Sequence, residues 1–91
     1  MSLKIVTPQD GCAWITGASS GIGAALALEL ASRGWQVAIS ARRKADLAKI
    51  AKGQDNITAF VCDVTDREAM AATATKIEKK LGPIALGIMN A

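Results

Sequence analysis

Ninety-one residues make one domain at most, or part of one, if ~150 residues per domain is taken as the prior. At 51% hydrophobic and 21% charged the chain is too apolar for disorder, and no apolar run approaches the ~18 residues of a membrane span. The net charge of +3 is mild, and the absence of histidine and tyrosine excludes a histidine relay, a histidine-ligated metal and a tyrosine acid or base within these residues.

The opening residues Met1 to Val6 are too short and too polar for a signal peptide, and Thr7-Pro8 ends them. Residues 1–10 are therefore a lead-in. Cys12-Ala13-Trp14-Ile15-Thr16 is an apolar run that predicts a buried strand, and residues 17–21 are small and polar, which predicts a loop. From Gly21 to Arg33 the chain is rich in Ala and Leu. Ile22, Leu26 and Leu30 recur every four residues, with Glu29, Ser32 and Arg33 on the other side, so an amphipathic helix is expected to stop at Gly34.

Trp35 to Ala41 predicts a second strand. Residues 44–52 predict a short helix with Leu47, Ile50 and Ala51 on its apolar face and Gly53 at its end. Ile57 to Cys62 predicts a third strand. Thr65 and Glu68 have the spacing of a capping box, opening a helix to Leu81 with Met70, Thr73, Ala74, Ile77 and Leu81 inward. Gly82-Pro83 breaks it, and Ile84 to Met89 predicts a fourth strand. Strands alternate with helices of nine or more residues, the crossover that parallel strands need, so the chain reads as an α/β doubly wound parallel sheet.

The informative segment is Thr16-Gly17-Ala18-Ser19-Ser20-Gly21-Ile22-Gly23, at the handover from the first strand to the first helix. A helix N-terminus offers unpaired N–H groups and a partial positive charge, and glycines let a pyrophosphate approach the backbone. Gly17 would make the turn, Gly21 would clear space for phosphates, and Gly23 would let the helix pack close to the sheet. A tight strand–helix turn with no ligand is the plainer alternative. Position and three spaced glycines weigh against it.

This segment resembles the TGxxxGxG motif of the short-chain dehydrogenase/reductase family. Asp63-Val64 resembles the family's Asp that contacts the adenine ring. Gly82-Pro83-Ile84 running into Met89-Asn90-Ala91 resembles the approach to the family's NNAG motif, so the likeness covers roughly residues 11–91. Met89 stands where the motif has its first Asn, and Ala85 where many relatives carry Asp. The Met89 departure bears on the hydrogen bonding that steadies the fourth strand.

The resemblance implies a Rossmann-like sheet of order 3-2-1-4 and a nicotinamide cofactor. Residues 17, 19–23, 63, 64, 90 and 91 are implied to hold it: Gly17, Ser19, Ser20, Gly21, Ile22, Gly23, Asp63, Val64, Asn90 and Ala91. An acidic residue at the end of the second strand binds the ribose 2′-hydroxyl in NAD enzymes, and a nearby arginine accommodates the 2′-phosphate of NADP. Here the position is Ala41, followed by Arg42 and Arg43. A guanidinium fork matches a phosphate, so NADP (NADPH) is expected, with Arg42 on the 2′-phosphate and Arg43 or Ser19 assisting. The plainer alternative is a solvated arginine pair. For Asp63 it is ordinary helix capping, although Asp66 or Thr65 can serve that cap.

In the 3-2-1-4 order, Cys12 and Cys62 lie two strands apart, ~9–10 Å at ~4.8 Å per strand, beyond the ~7 Å a disulfide allows, so two buried free thiols are expected. The implied activity is an NADP-dependent oxidoreductase moving hydride between nicotinamide and a small carbonyl or alcohol substrate. In the family the Ser…Tyr-x-x-x-Lys residues of that reaction follow the NNAG motif. Every serine here precedes Ala41 and tyrosine is absent, so no catalytic residue maps onto this chain.

The chain is accordingly expected to be the front part of a single NADP-binding domain, inactive alone and unstable with its uncharged fourth strand at an edge. The alternative is a non-catalytic NADP-binding module or redox sensor. A cytoplasmic setting, no metal, no nucleic-acid or membrane partner, and a homo-oligomer at full length complete the expectations.

Overall fold

The computed structural model describes residues 6–18 and 21–89. Seven elements follow in chain order: β1 (Cys12–Thr16), α1 (Gly21–Ser32), β2 (Val37–Ala41), α2 (Lys44–Ala51), β3 (Ile57–Val61), α3 (Arg67–Leu81) and β4 (Ile84–Met89). The four strands form one parallel sheet of order β3-β2-β1-β4, as expected. Each crossover carries a helix because parallel neighbours cannot be joined by a hairpin.

Alternate side chains of each strand go to opposite faces, and this sorts the core into two layers. Ala13, Ile15, Val37, Ile39 and Ile57 pack with Ala27 and Ala31 of α1 and Leu47 of α2. Cys12 and Ala38 pack on the other face with Ile77 of α3, flanked by Trp14, Phe60, Leu81 and Ile84. The central strands β1 and β2 are covered on both faces, which is why they read as unbroken apolar runs. Where β1 meets β4, Cys12 pairs with Ile84 but Ala13 with Leu86, so Ala85 is an extra residue that shifts the register.

Helix α1 corrects one expectation. Its buried residues are Gly23, Ala27 and Ala31, whereas Ile22 is 78% exposed and Leu26 and Leu30 are only half-buried. The small row lets the helix axis approach the strands, and the leucines spread along the flanks. Gly23, expected to let the helix pack close to the sheet, is buried on this face.

Four boundaries also move, the first being that α1 ends at Ser32 rather than Arg33. Strand β2 begins at Val37, and Trp35, although buried in the core, precedes it. Strand β3 ends at Val61, with Cys62 still donating its N–H to the Ala41 carbonyl at 3.0 Å. Helix α2 ends at Ala51. Helix α3 is capped by Asp66, whose carboxylate accepts from the Ala69 N–H at 3.1 Å. The Thr65–Glu68 capping box does not form, because Thr65 turns back to Asp63 instead.

Cys12 and Cys62 are both buried and free. They lie on strands separated by β2, one at the start of β1 and the other just past the end of β3, so lateral and axial separation both keep them apart. Among the described residues no helix is long and apolar enough to cross a membrane, and no cluster of His, Cys, Asp or Glu is arranged to hold a metal.

Candidate cofactor-binding edge

In a parallel sheet all strands end on the same side, so the turns after β1, β2 and β3 converge on one edge. The chain leaves β1 through Gly17 at φ 64° and enters α1 through Gly21 at φ 62°. Both lie in the left-handed region that side chains with a Cβ adopt only at a cost. A Cβ on Gly21 would meet no described atom within 4 Å, so the backbone angle, not crowding, favours glycine there. The first turn of α1 carries no acidic residue, so nothing there offsets the positive end of the helix.

The turn is tied to the next strand. The Ala18 N–H donates to the Ser40 carbonyl at 3.2 Å. Two residues further on, Arg42 leaves the end of β2 exposed, after a half-buried Ala41. Arg43 is the N-cap residue of α2, its side chain makes no cap bond, and it is also exposed. Among the described residues neither arginine is in an ion pair, and the pair that is present is Arg33 with Glu29 on α1.

The pairing of Ala41 with Val61, continued by the Cys62 N–H on the Ala41 carbonyl, brings the start of the β3–α3 loop beside the end of β2. Asp63 begins that loop. The Thr65 N–H and hydroxyl donate to Asp63 Oδ1 at 2.9 and 2.7 Å. The bond from the Thr65 N–H, then that from its hydroxyl, holds the Asp63 carboxyl below the usual carboxylate range, and the charge of Arg42 adds to the lowering. Val61 and Val64 flank this position, 53% and 43% exposed.

At the opposite side of the glycine turn, Thr16 pairs with Met89 of β4. The Thr16 hydroxyl lies 3.4 Å from the Ile88 carbonyl and 3.6 Å from the Met89 sulfur, so the end of β4 keeps a tie to β1 with methionine in place of asparagine. Met89 itself is 71% exposed.

The structure thus brings Gly17, Gly21, Ile22, Gly23, Arg42, Arg43, Asp63 and Val64 to one edge of the sheet. Gly23 is buried under α1 and serves packing there. Ser19, Ser20, Asn90 and Ala91 lie outside the described residues. Sequence reasoning missed Thr65 as the partner of Asp63 and Ser40 as the anchor of the turn. The Asp-x-Thr spacing, which suits a side chain bonding the backbone two residues on, was the signal for the first. The second had none, because it depends on the register of β1 against β2.

A doubly wound parallel sheet with a glycine turn at its first strand–helix junction defines a Rossmann-type fold. The short chain dehydrogenase family model matches residues 11–91, and the chain belongs to that family. It is 40% identical over 92 residues to an uncharacterized oxidoreductase of Staphylococcus saprophyticus, covering 96% of this chain and 39% of that protein. It is 39% identical over 79 residues to acetoacetyl-CoA reductase of Shinella zoogloeoides, covering 87% of this chain and 33% of that one. Among solved structures, a short chain dehydrogenase from Bacillus anthracis superposes with a TM-score of 0.86 at 28% identity over 93% of this chain and 36% of that one. A variant of actinorhodin polyketide ketoreductase with NADPH gives 0.82 at 27% identity over 96% of this chain and 35% of its own. The chain thus spans between a third and two fifths of the length of these relatives.

Proposed function

We propose that this chain forms the cofactor-binding part of an NADP-dependent oxidoreductase that moves hydride between nicotinamide and a small carbonyl or alcohol substrate. The observation that carries the reading is the convergence of the glycines at the start of α1, Arg42 and Asp63 on one edge of a parallel sheet. The relatives named as reductases, and the neighbour named with NADPH, support it.

The residues fit an anionic dinucleotide. The N-terminus of α1, entered through Gly21, carries no acidic side chain in its first turn, which suits a pyrophosphate. Ile22 offers an apolar surface beside it. Arg42 is exposed and in no ion pair among the described residues, and Ala41 before it is small and neutral, so a phosphate dianion at the ribose 2′ position finds a guanidinium and no carboxylate at position 41. Asp63, held ionised, is an acceptor for an amine such as that of adenine, with Val61 and Val64 as apolar walls. When bound, the cofactor would supply hydride chemistry.

No tyrosine is present for the family's proton exchange, so the reading assigns that step to residues outside these 91 and expects the 91 alone to be inactive. A cytoplasmic setting accords with two unpaired buried thiols. The test is the affinity of the natural protein for NADPH and NADH, with Arg42→Ala and Ala41→Asp. Arg42→Ala should weaken NADPH selectively, and Ala41→Asp should turn the preference towards NADH. An unchanged preference in both variants rejects the NADP assignment.

A further inference from the structure

We infer that Thr65 is a positioning residue that makes the edge selective for adenine, by fixing which oxygen Asp63 presents and in which plane. The inference rests on the reading of Asp63 given above and extends it to a residue with no assigned role.

Two donors of Thr65 converge on a single oxygen of Asp63. The backbone N–H reaches Oδ1 at 2.9 Å and the hydroxyl reaches the same atom at 2.7 Å. A carboxylate has two oxygens and several lone-pair sites, so two bonds on Oδ1 fix the plane of the group, while among the described residues none falls on Oδ2. Thr65 performs no other side-chain task. The cap of α3 belongs to Asp66, and Thr65 lies before the helix begins. A threonine in this loop that served only α3 would be expected to bond an N–H of its first turn. This one points back towards the sheet edge.

The hydroxyl matters for recognition because of what it does to Asp63. Near neutral pH the carboxylate is ionised in any case, and the two Thr65 bonds hold it in one orientation. An ionised carboxylate only accepts hydrogen bonds, whereas a protonated one also donates. Adenine presents an exocyclic amine, a donor, at the position where hypoxanthine presents a carbonyl, an acceptor. A fixed acceptor-only Oδ2 welcomes the first and repels the second. A carboxyl free to rotate towards solvent would meet either base with less discrimination. Sites built to hydrogen-bond one group reject the analogue that lacks it because a polar partner is left unpaired.

The experiment uses the natural protein that carries this sequence, with Thr65→Val, Thr65→Ser and Asp63→Asn. The readouts are the dissociation constants of NADPH and of its hypoxanthine analogue, and the titration of the Asp63 carboxyl by NMR. Thr65→Val keeps the backbone donor and the β-branch but removes the hydroxyl, so it should lower the preference for adenine by about tenfold, the order of one hydrogen bond to a charged group. Asp63 should then titrate at higher pH than in the unaltered protein. Thr65→Ser, which restores the hydroxyl, should recover both values. If adenine preference is strong in the unaltered protein, lost in Asp63→Asn and intact in Thr65→Val, the role of Thr65 is overturned while that of Asp63 stands. If NADPH binds without any preference over the hypoxanthine analogue, both roles fall. If NADPH does not bind at all, the function proposed above fails, and the inference with it.

Discussion

The indole N–H of Trp14 donates to the hydroxyl of Ser40 at 2.8 Å, joining β1 to β2 on the face of the sheet that α3 covers. Ser40 is fully buried, so its hydroxyl depends on this partner, and the Ser40 carbonyl in turn receives the Ala18 N–H of the glycine turn. The same residue therefore links a core contact to the candidate site. Trp14→Phe keeps an aromatic ring but removes the donor, and should cost about 1 kcal/mol, the net worth of a neutral hydrogen bond. Ser40→Ala should cost a similar amount. The double variant should fall short of the sum, since either change removes the one bond. Urea unfolding of the four proteins measures this, and strict additivity would show that the bond contributes nothing.

Cofactor choice turns on Arg42. Arg42→Ala should reduce affinity for NADPH by about tenfold or more, because charge-assisted bonds to phosphate are the strong class. Affinity for NADH should change by less than about twofold, since NADH carries a neutral hydroxyl in place of the 2′-phosphate that the guanidinium would bind. Fluorescence titration of the reduced nicotinamide reads both.

Glycine replacements should separate two physical causes. At Gly21 a Cβ meets open space but the φ of 62° is unfavourable, so Gly21→Ala should lose about 1–2 kcal/mol from backbone strain and also weaken NADPH binding by obstructing the turn. At Gly11 a Cβ would collide with the Pro83 carbonyl, backbone that cannot swing aside. Gly11→Ala should be the more destabilising change, yet it sits at the far end of β1 and should leave the NADPH affinity of the folded protein intact. Melting temperatures and titrations of the two variants give the comparison.

The pH dependence of Asp63 has a definite sign. Its folded value is lowered, first by the Thr65 N–H, then by the Thr65 hydroxyl, with Arg42 adding. The unfolded chain then binds the proton more tightly than the folded one. The stability this supplies is complete above the ordinary value of 3.8 and is lost as pH falls through the lowered folded value. Asp63→Asn should therefore unfold at lower urea than the unaltered protein at pH 6, with the gap closing towards pH 3. A gap that stays constant would mean that the charge of Asp63 is not involved.

The thiols make the last test. Cys12 is fully buried, and desolvation pushes its thiol above the ordinary 9.0, with the charge of Glu78 adding against a lowering backbone bond. Stability from keeping it protonated is complete below that ordinary value and declines as pH rises towards the folded one. Iodoacetamide at pH 8 should leave Cys12 unmodified in the folded protein, and denaturation should release two free thiols. Fewer than two would contradict the structure.

Much of this protein is written locally. Unbroken apolar runs at β1 and β2 specify strands covered on both faces, and glycines at 17, 34, 53 and 82 mark where the chain must turn with positive φ. These features need only a few neighbouring residues, so the sequence by itself determines the alternation of strands and helices and the glycine turn before α1. The face that α1 presents was less legible. Its segment carries Ala or Leu on almost every side, so apolar spacing could not choose between the row of Ile22, Leu26 and Leu30 and the row of Gly23, Ala27 and Ala31. The tertiary structure decided it, because the closest approach of helix to sheet is won by the smallest side chains. The meeting of Arg42 with Asp63, and of Trp14 with Ser40, was likewise decided only there. Each pair joins residues more than twenty positions apart in the chain, and what places them side by side is the register of one parallel strand on the next, which no local pattern encodes.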